Sequence, residues 1–155
     1  MSTSGFDPQI TPVTGSPGGL GKRAGARFID WVIAGLVGAV IFWLLNRSVD
    51  APDWVSVLPG AGFGFLYFLF FEVLTGETPG KKILGLQVRG ADGAAKPSVL
   101  DSAKRNAYML LNLIPCVGGL LWFVAAIYIA VTISSSPTKQ GWHDKFAGGT
   151  QVVDN

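Results

Sequence analysis

The chain has 155 residues and a formal net charge of +2, enough for one domain or one small helical bundle. Only 14% of the residues are charged, where soluble domains carry roughly a quarter, and the mean hydropathy is +0.42. These values argue against a soluble domain, and a charge this small argues against nucleic acid as a partner.

Ten Phe, five Trp and 21 Gly point to a lipid bilayer instead, because Gly is more frequent in transmembrane helices than in soluble ones. Cys116 is the single cysteine, so no intrachain disulfide forms and thiols say nothing about the compartment.

Residues 1–20, "MSTSGFDPQITPVTGSPGGL", hold four Gly, three Pro and no Lys or Arg. This composition cannot bury a core, which predicts a flexible cytoplasmic tail, with residues 21–155 as the transmembrane domain. A cleaved signal peptide fits poorly, since the apolar run starts late and lacks a small-residue cleavage site after it.

Three apolar segments follow. Residues 28–45 and 54–74 run for about 18 and about 21 residues, each enough to cross a hydrocarbon core near 30 Å thick. The third, residues 106–133, runs for about 28 and is broken by "NLIPCVGG", where Pro115 and the Gly118–Gly119 pair favour a turn between two shorter helices. A single long tilted helix is the alternative. The linker at residues 75–105 carries Lys81, Lys82, Arg89, Lys96, Lys104 and Arg105, which places it and the N-terminus in the cytoplasm. With a hairpin, eleven of the twelve Lys and Arg lie on that side and only Arg47 lies outside.

Within this linker, "KKILGLQVRGADGAAKPS" alternates apolar and polar residues and then turns at "GADG", the pattern of a short strand pair. The expected fold is therefore an all-α membrane protein: a small transmembrane helical bundle of two clear spans plus a Pro/Gly-broken helical hairpin, with a short cytoplasmic β-ribbon.

Asp30 sits just inside the first apolar segment. Positions four apart share a helix face, so Ala26, Asp30, Ala34 and Gly38 form one strip of small residues carrying a carboxylate. The second segment has a matching strip, Gly60, Gly64, Phe68 and Glu72. Small residues let helix backbones approach closely, and the opposite chain directions put Asp30 and Glu72 at the same depth. Intramembrane charges are paired or turned inward. Arg27, three residues from Asp30, reaches it directly, whereas Arg23 lies about 10 Å further along the axis. A satisfied ion pair anchoring the helix end is the plain reading of this cluster.

Four blocks resemble the RDD family of bacterial integral membrane proteins. "RAGARFID" has Arg23, Ala26, Ile29 and Asp30 in the spacing R-x-x-A-x-x-I-D. "GETPGKKILGLQV", residues 76–88, resembles the block after the second span. Arg105 matches a basic residue that opens the next helix, and "GWHDKFAGGTQVV", residues 141–153, resembles the closing H-D-x-x-A-G-T-x-V-V signature with one extra Gly. The resemblance maps the family's defining arginine and two aspartates onto Arg23, Asp30 and Asp144. It implies residence in the bacterial inner membrane and a role in transport, cation/proton antiport for some relatives. If the three residues belong together, the chain crosses an even number of times.

Enzyme chemistry is not expected. His143 is the single histidine, a His-Asp neighbour pair makes no triad, and the scattered acids give no metal-ligand spacing. "GETPGKK" lacks the phosphate-loop pattern, so no cofactor is expected. Lys81 and Lys82 suit anionic lipid headgroups. Two functions remain: transport of a cation or small solute through Asp30, Asp144 and Glu72 with Arg23 tuning their charge, or an accessory subunit. Partners are the lipid bilayer and either further copies of the chain or a larger membrane complex.

Overall fold

The computed structural model describes residues 15–48 and 58–154, which excludes residues 1–14 of the expected tail and the start of the second apolar segment. Two long apolar helices dominate it: α1, Leu20–Ser48, and α5, Gly118–Ser135. Leu20–Leu45 and Gly118–Ser135 are long and apolar enough to cross a membrane, judged by length and composition. Both present large apolar side chains outward, among them Phe28, Leu36 and Val40 on α1 and Leu120, Phe123 and Val131 on α5.

Helix α2, Leu58–Thr75, is shorter, with an apolar stretch at Gly62–Thr75. The third apolar segment is not one long helix. It follows α4, Val99–Asn106, as a 3-10 helix at Ala107–Leu113, breaks at residues 114–117, and resumes as α5. The break falls inside "NLIPCVGG", where Cys116 takes a left-handed φ of 66°. The limb before it is shorter than a spanning helix, since seven residues of 3-10 helix rise only about 14 Å.

The ribbon differs from the expected local strand pair. Lys81 and Lys82 belong to α3, Pro79–Ile83, and only β2, Leu86–Arg89, is extended. Its partner is not the residues after "GADG" but the C-terminal β3, Gln151–Asp154, which lies antiparallel between β2 and β1, Ser16–Pro17. Residues 15–20, expected as tail, are thus ordered: Gly18 N–H donates to the Val152 carbonyl, and α1 begins at Leu20. The sheet ties the start of α1, the α3 region and the chain's end to one end of the bundle.

The small-residue strip of α1 packs inward. Ala26, Asp30, Ala34 and Gly38 are all buried, as are Gly64, Phe68 and Glu72 on α2. Two apolar clusters result, one of Ala26, Leu86, Val88 and Val152 beneath the sheet and one of Ala34, Tyr67, Phe68 and Met109 between α1 and α2. Asp30 lies one turn from Ala26 and one from Ala34, so polar groups occupy the layer between them.

Candidate functional site

This polar layer holds Asp30, Glu72, Thr78, Lys81, Ser102, Arg105, Asn106, His143 and Asp144, every one of them buried. A charge removed from water is tolerated only when paired or hydrogen-bonded, and three niches achieve this in three ways.

Asp144 lies on the short α6, Trp142–Phe146. Arg23 Nη1 donates to its Oδ2 at 2.9 Å, and the Gly141 N–H donates to the same oxygen at 3.0 Å. Arg105 Nε stands 3.1 Å from Oδ1 as an ion pair outside hydrogen-bond geometry. Burial alone would raise the Asp144 pKa, but Arg105, His143 and Arg23 outweigh it and hold the carboxyl below its usual range. Arg23 is itself fixed, since its Nε donates to the Gly18 carbonyl at 3.0 Å. His143, edge-on to Tyr108, is pushed down to about 3, first by burial and then by Arg105, Arg27 and Arg23. It is therefore neutral at physiological pH. Two consecutive left-handed glycines, Gly148 (φ 79°) and Gly149 (φ 89°), end α6, and the Gly149 N–H reaches back to the Asp144 carbonyl at 3.0 Å. The extra glycine in this motif thus sits in the turn and leaves the carboxylate untouched.

Glu72 pairs with Lys81 Nζ through one oxygen and accepts from Ser102 Oγ at 2.9 Å and Asn106 Nδ2 at 3.0 Å through the other. Burial moves the Lys81 ammonium down to about 8, with Glu72 opposing the shift and Arg105 and Arg27 adding to it. This corrects the headgroup assignment for Lys81, whose charge is spent inside the protein, while Lys82 on the same helix is exposed.

Among the described residues, no cation pairs with Asp30. Its carboxylate accepts from the Tyr67 hydroxyl at 3.0 Å, the Gly80 N–H at 2.7 Å and the Thr78 hydroxyl. Thr78 also caps α3, taking the Lys81 N–H at 3.3 Å. Gly80 is required here: a Cβ would lie 2.3 Å from the Ala26 carbonyl oxygen and 2.8 Å from Asp30 Cγ. The expected Arg27–Asp30 pair does not form. With three donors already on Asp30, the Arg27 guanidinium turns away to lie 4.0 Å over the Phe68 ring and donates to Asn106 Oδ1 at 3.4 Å.

Of the residues read from the sequence, the structure joins Arg23, Arg105, His143 and Asp144 in one niche, sets Glu72 beside it with Lys81, and keeps Asp30 apart from both. Arg105 lies in the last turn of α4 rather than opening a helix. The opening of α4 is a reciprocal cap between Ser98 and Asp101. The reading missed Tyr67, Thr78, Ser102 and Asn106. A signal existed for Thr78, because Thr-Pro is a helix-start pair, and for Ser102 and Asn106, which share a face four residues apart.

These features define a mostly helical protein with two long apolar helices and a small three-stranded antiparallel sheet, one end of which is closed by buried charges. The RDD family model matches residues 17–148, and the chain belongs to that family. No curated protein and no solved structure matches it.

Proposed function

We propose that the chain is an integral protein of the bacterial cytoplasmic membrane, N-terminus inside, that binds a small anionic solute at the inner rim of its bundle and takes part in moving it. One observation carries the reading. Four cations, the part-buried Arg23 and Arg27 and the buried Lys81 and Arg105, stand against three buried carboxylates, Asp30, Glu72 and Asp144. All three carboxylates are already engaged, while Arg27 faces aromatic rings and an amide with no ion pair among the described residues. The surplus is positive, and His143, held neutral, does not change it. A cation would have to displace a lysine to reach Glu72, an arginine to reach Asp144, or the hydroxyl and N–H donors that fill Asp30, whereas an anion has Arg27 to meet.

An accessory subunit would dock on a partner through free helix faces of small residues. This reading has less to rest on, because Ala26, Ala34, Gly38 and Gly64 are consumed in contacts within the chain.

The test is thermal unfolding of the purified protein in a non-ionic detergent with sodium phosphate, sodium sulfate or added alkali chloride at matched ionic strength. Stabilisation by the oxyanions that Arg27→Gln abolishes is the expected result. Stabilisation by the alkali cation, with the oxyanions inert, would overturn the anion reading.

A further inference from the structure

A cavity of about 280 Å³ lies between α1 and α5, at the end where the charges gather. Its volume is just below the usual range of ligand pockets, about 300 to 1,000 Å³. Its two halves are chemically unlike. The polar lining is Arg23, Arg27, Lys81, Arg105 and His143, the last three buried, and the apolar lining includes Phe28, Trp31, Trp122, Ala126 and Ile129, with Phe28 and Trp31 exposed. Helices α1 and α5 contact each other sparsely, and Trp31 and Trp122, with ring centroids 4.9 Å apart, bridge them.

Three buried nitrogens of bordering residues lack a hydrogen-bond partner, Arg105 Nε, Arg105 Nη1 and His143 Nδ1, and of these only Arg105 Nε has an ion pair, with Asp144. Buried donors are rarely left so, and a bound acceptor would satisfy the arginine. The apolar walls continue onto side chains exposed at the bundle surface, with Phe28 68% and Trp31 41% exposed. An inorganic anion uses the floor and leaves these walls without a role. A hydrocarbon chain attached to the anion uses both.

We propose that this cleft binds an anionic amphiphile, with its phosphate or carboxylate on Arg27 and Arg105 and its alkyl chain leaving past the Trp31–Trp122 pair along Ala126. The inference rests on the anion-binding reading above and narrows it to a ligand class. Its chemistry is shared by a bilayer lipid with an anionic headgroup and by a single-chain alkyl anion.

The two tryptophans supply the readout. With Trp43, Trp54 and Trp142 changed to Phe, emission reports on Trp31 and Trp122. A bromine-labelled alkyl phosphate, titrated in non-ionic detergent, is expected to quench them saturably. Half-quenching should come at a concentration at least tenfold below that for a brominated alkylphosphocholine of equal chain length, which controls for partition into the micelle. Arg27→Gln should weaken the alkyl phosphate about tenfold and Arg27→Lys much less. Ala126→Phe, filling the wall, should abolish saturable quenching while leaving any stabilisation by inorganic phosphate intact. If the triple-Phe protein does not fold, thermal unfolding of the unaltered chain with the same ligands must give the same ranking.

Equal quenching by the phosphate and the phosphocholine would overturn the proposal. So would inorganic phosphate stabilising the protein as strongly as the alkyl phosphate at equal concentration, which would leave the anion reading standing. No stabilisation by either would remove both. Competition by short-chain phosphatidylglycerol would assign the ligand to the bilayer, and its failure beside a binding alkyl phosphate would assign a single-chain anion, each in support.

Discussion

Asp144 and Asp30 are both fully buried at the same end of the bundle, yet they are kept in opposite ways. Asp144 lies between two guanidinium groups, from Arg23 and Arg105. Asp30 is ringed by two hydroxyls and a backbone N–H, with no cation on it among the described residues. The motif resemblance groups these two acids, but their chemistry separates them. One is a counter-ion that joins the N-terminal helix to the C-terminal turn. The other is an acceptor that docks α3 onto α1 through the Gly80 contact. A buried carboxylate is offset either by opposite charge or by enough donors, and losing it has different consequences in each case.

Substitutions that keep shape sharpen the contrast. Asp144→Asn leaves two buried arginines short of charge and is expected to cost the most, roughly 3–5 kcal/mol of unfolding free energy in detergent. A comparable loss is expected for Lys81→Met, which strands Glu72, and adding Glu72→Gln should recover part of it, because the uncompensated charge is then gone. Asp30→Asn can keep an oxygen where Oδ1 accepts from both Tyr67 and Gly80 and is expected to cost about 1.5–3 kcal/mol, the range for a charged hydrogen bond. A larger loss for Asp30→Asn than for Asp144→Asn would break the comparison.

The pH dependence follows from His143. Its folded pKa, held near 3 chiefly by burial, lies below its ordinary 6.5. Between those values the unfolded chain binds a proton that the folded chain does not, so stability falls as pH drops from 6.5 toward 3. The slope from this group reaches about 1.4 kcal/mol per pH unit. His143→Asn should flatten that part of the curve in unfolding experiments run at successive pH values. The smallest effect is expected for Lys82→Ala on the exposed side of α3, within about 0.5 kcal/mol. A large loss there would show that the exposed lysine, and not Lys81, holds the helix.

What was legible beforehand follows the range of the interaction. The strip of Ala26, Asp30, Ala34 and Gly38 was readable because helical periodicity is local, and all four residues are buried. The break near Pro115 was readable for the same reason. Arg23 meeting Asp144 across 121 positions was reached through motif resemblance, not spacing. The pairing of β2 with β3 was missed because a four-residue strand carries no mark of its distant partner. Arg27 was misassigned to Asp30 on correct local geometry: three donors from α2 and the α3 region occupied the carboxylate, and the Phe68 face took the guanidinium. Lys81 looked like a surface charge because nothing near it in sequence announces Glu72 across the turn.

The decisive measurement is a pair of double-mutant cycles on unfolding free energy, Arg23→Met with Asp144→Asn and Arg23→Met with Asp30→Asn. The expected coupling is at least about 1.5 kcal/mol for the first pair, the range of a charged hydrogen bond, and within about 0.5 kcal/mol of zero for the second. Strong coupling of Arg23 to Asp30, with none to Asp144, would contradict the account.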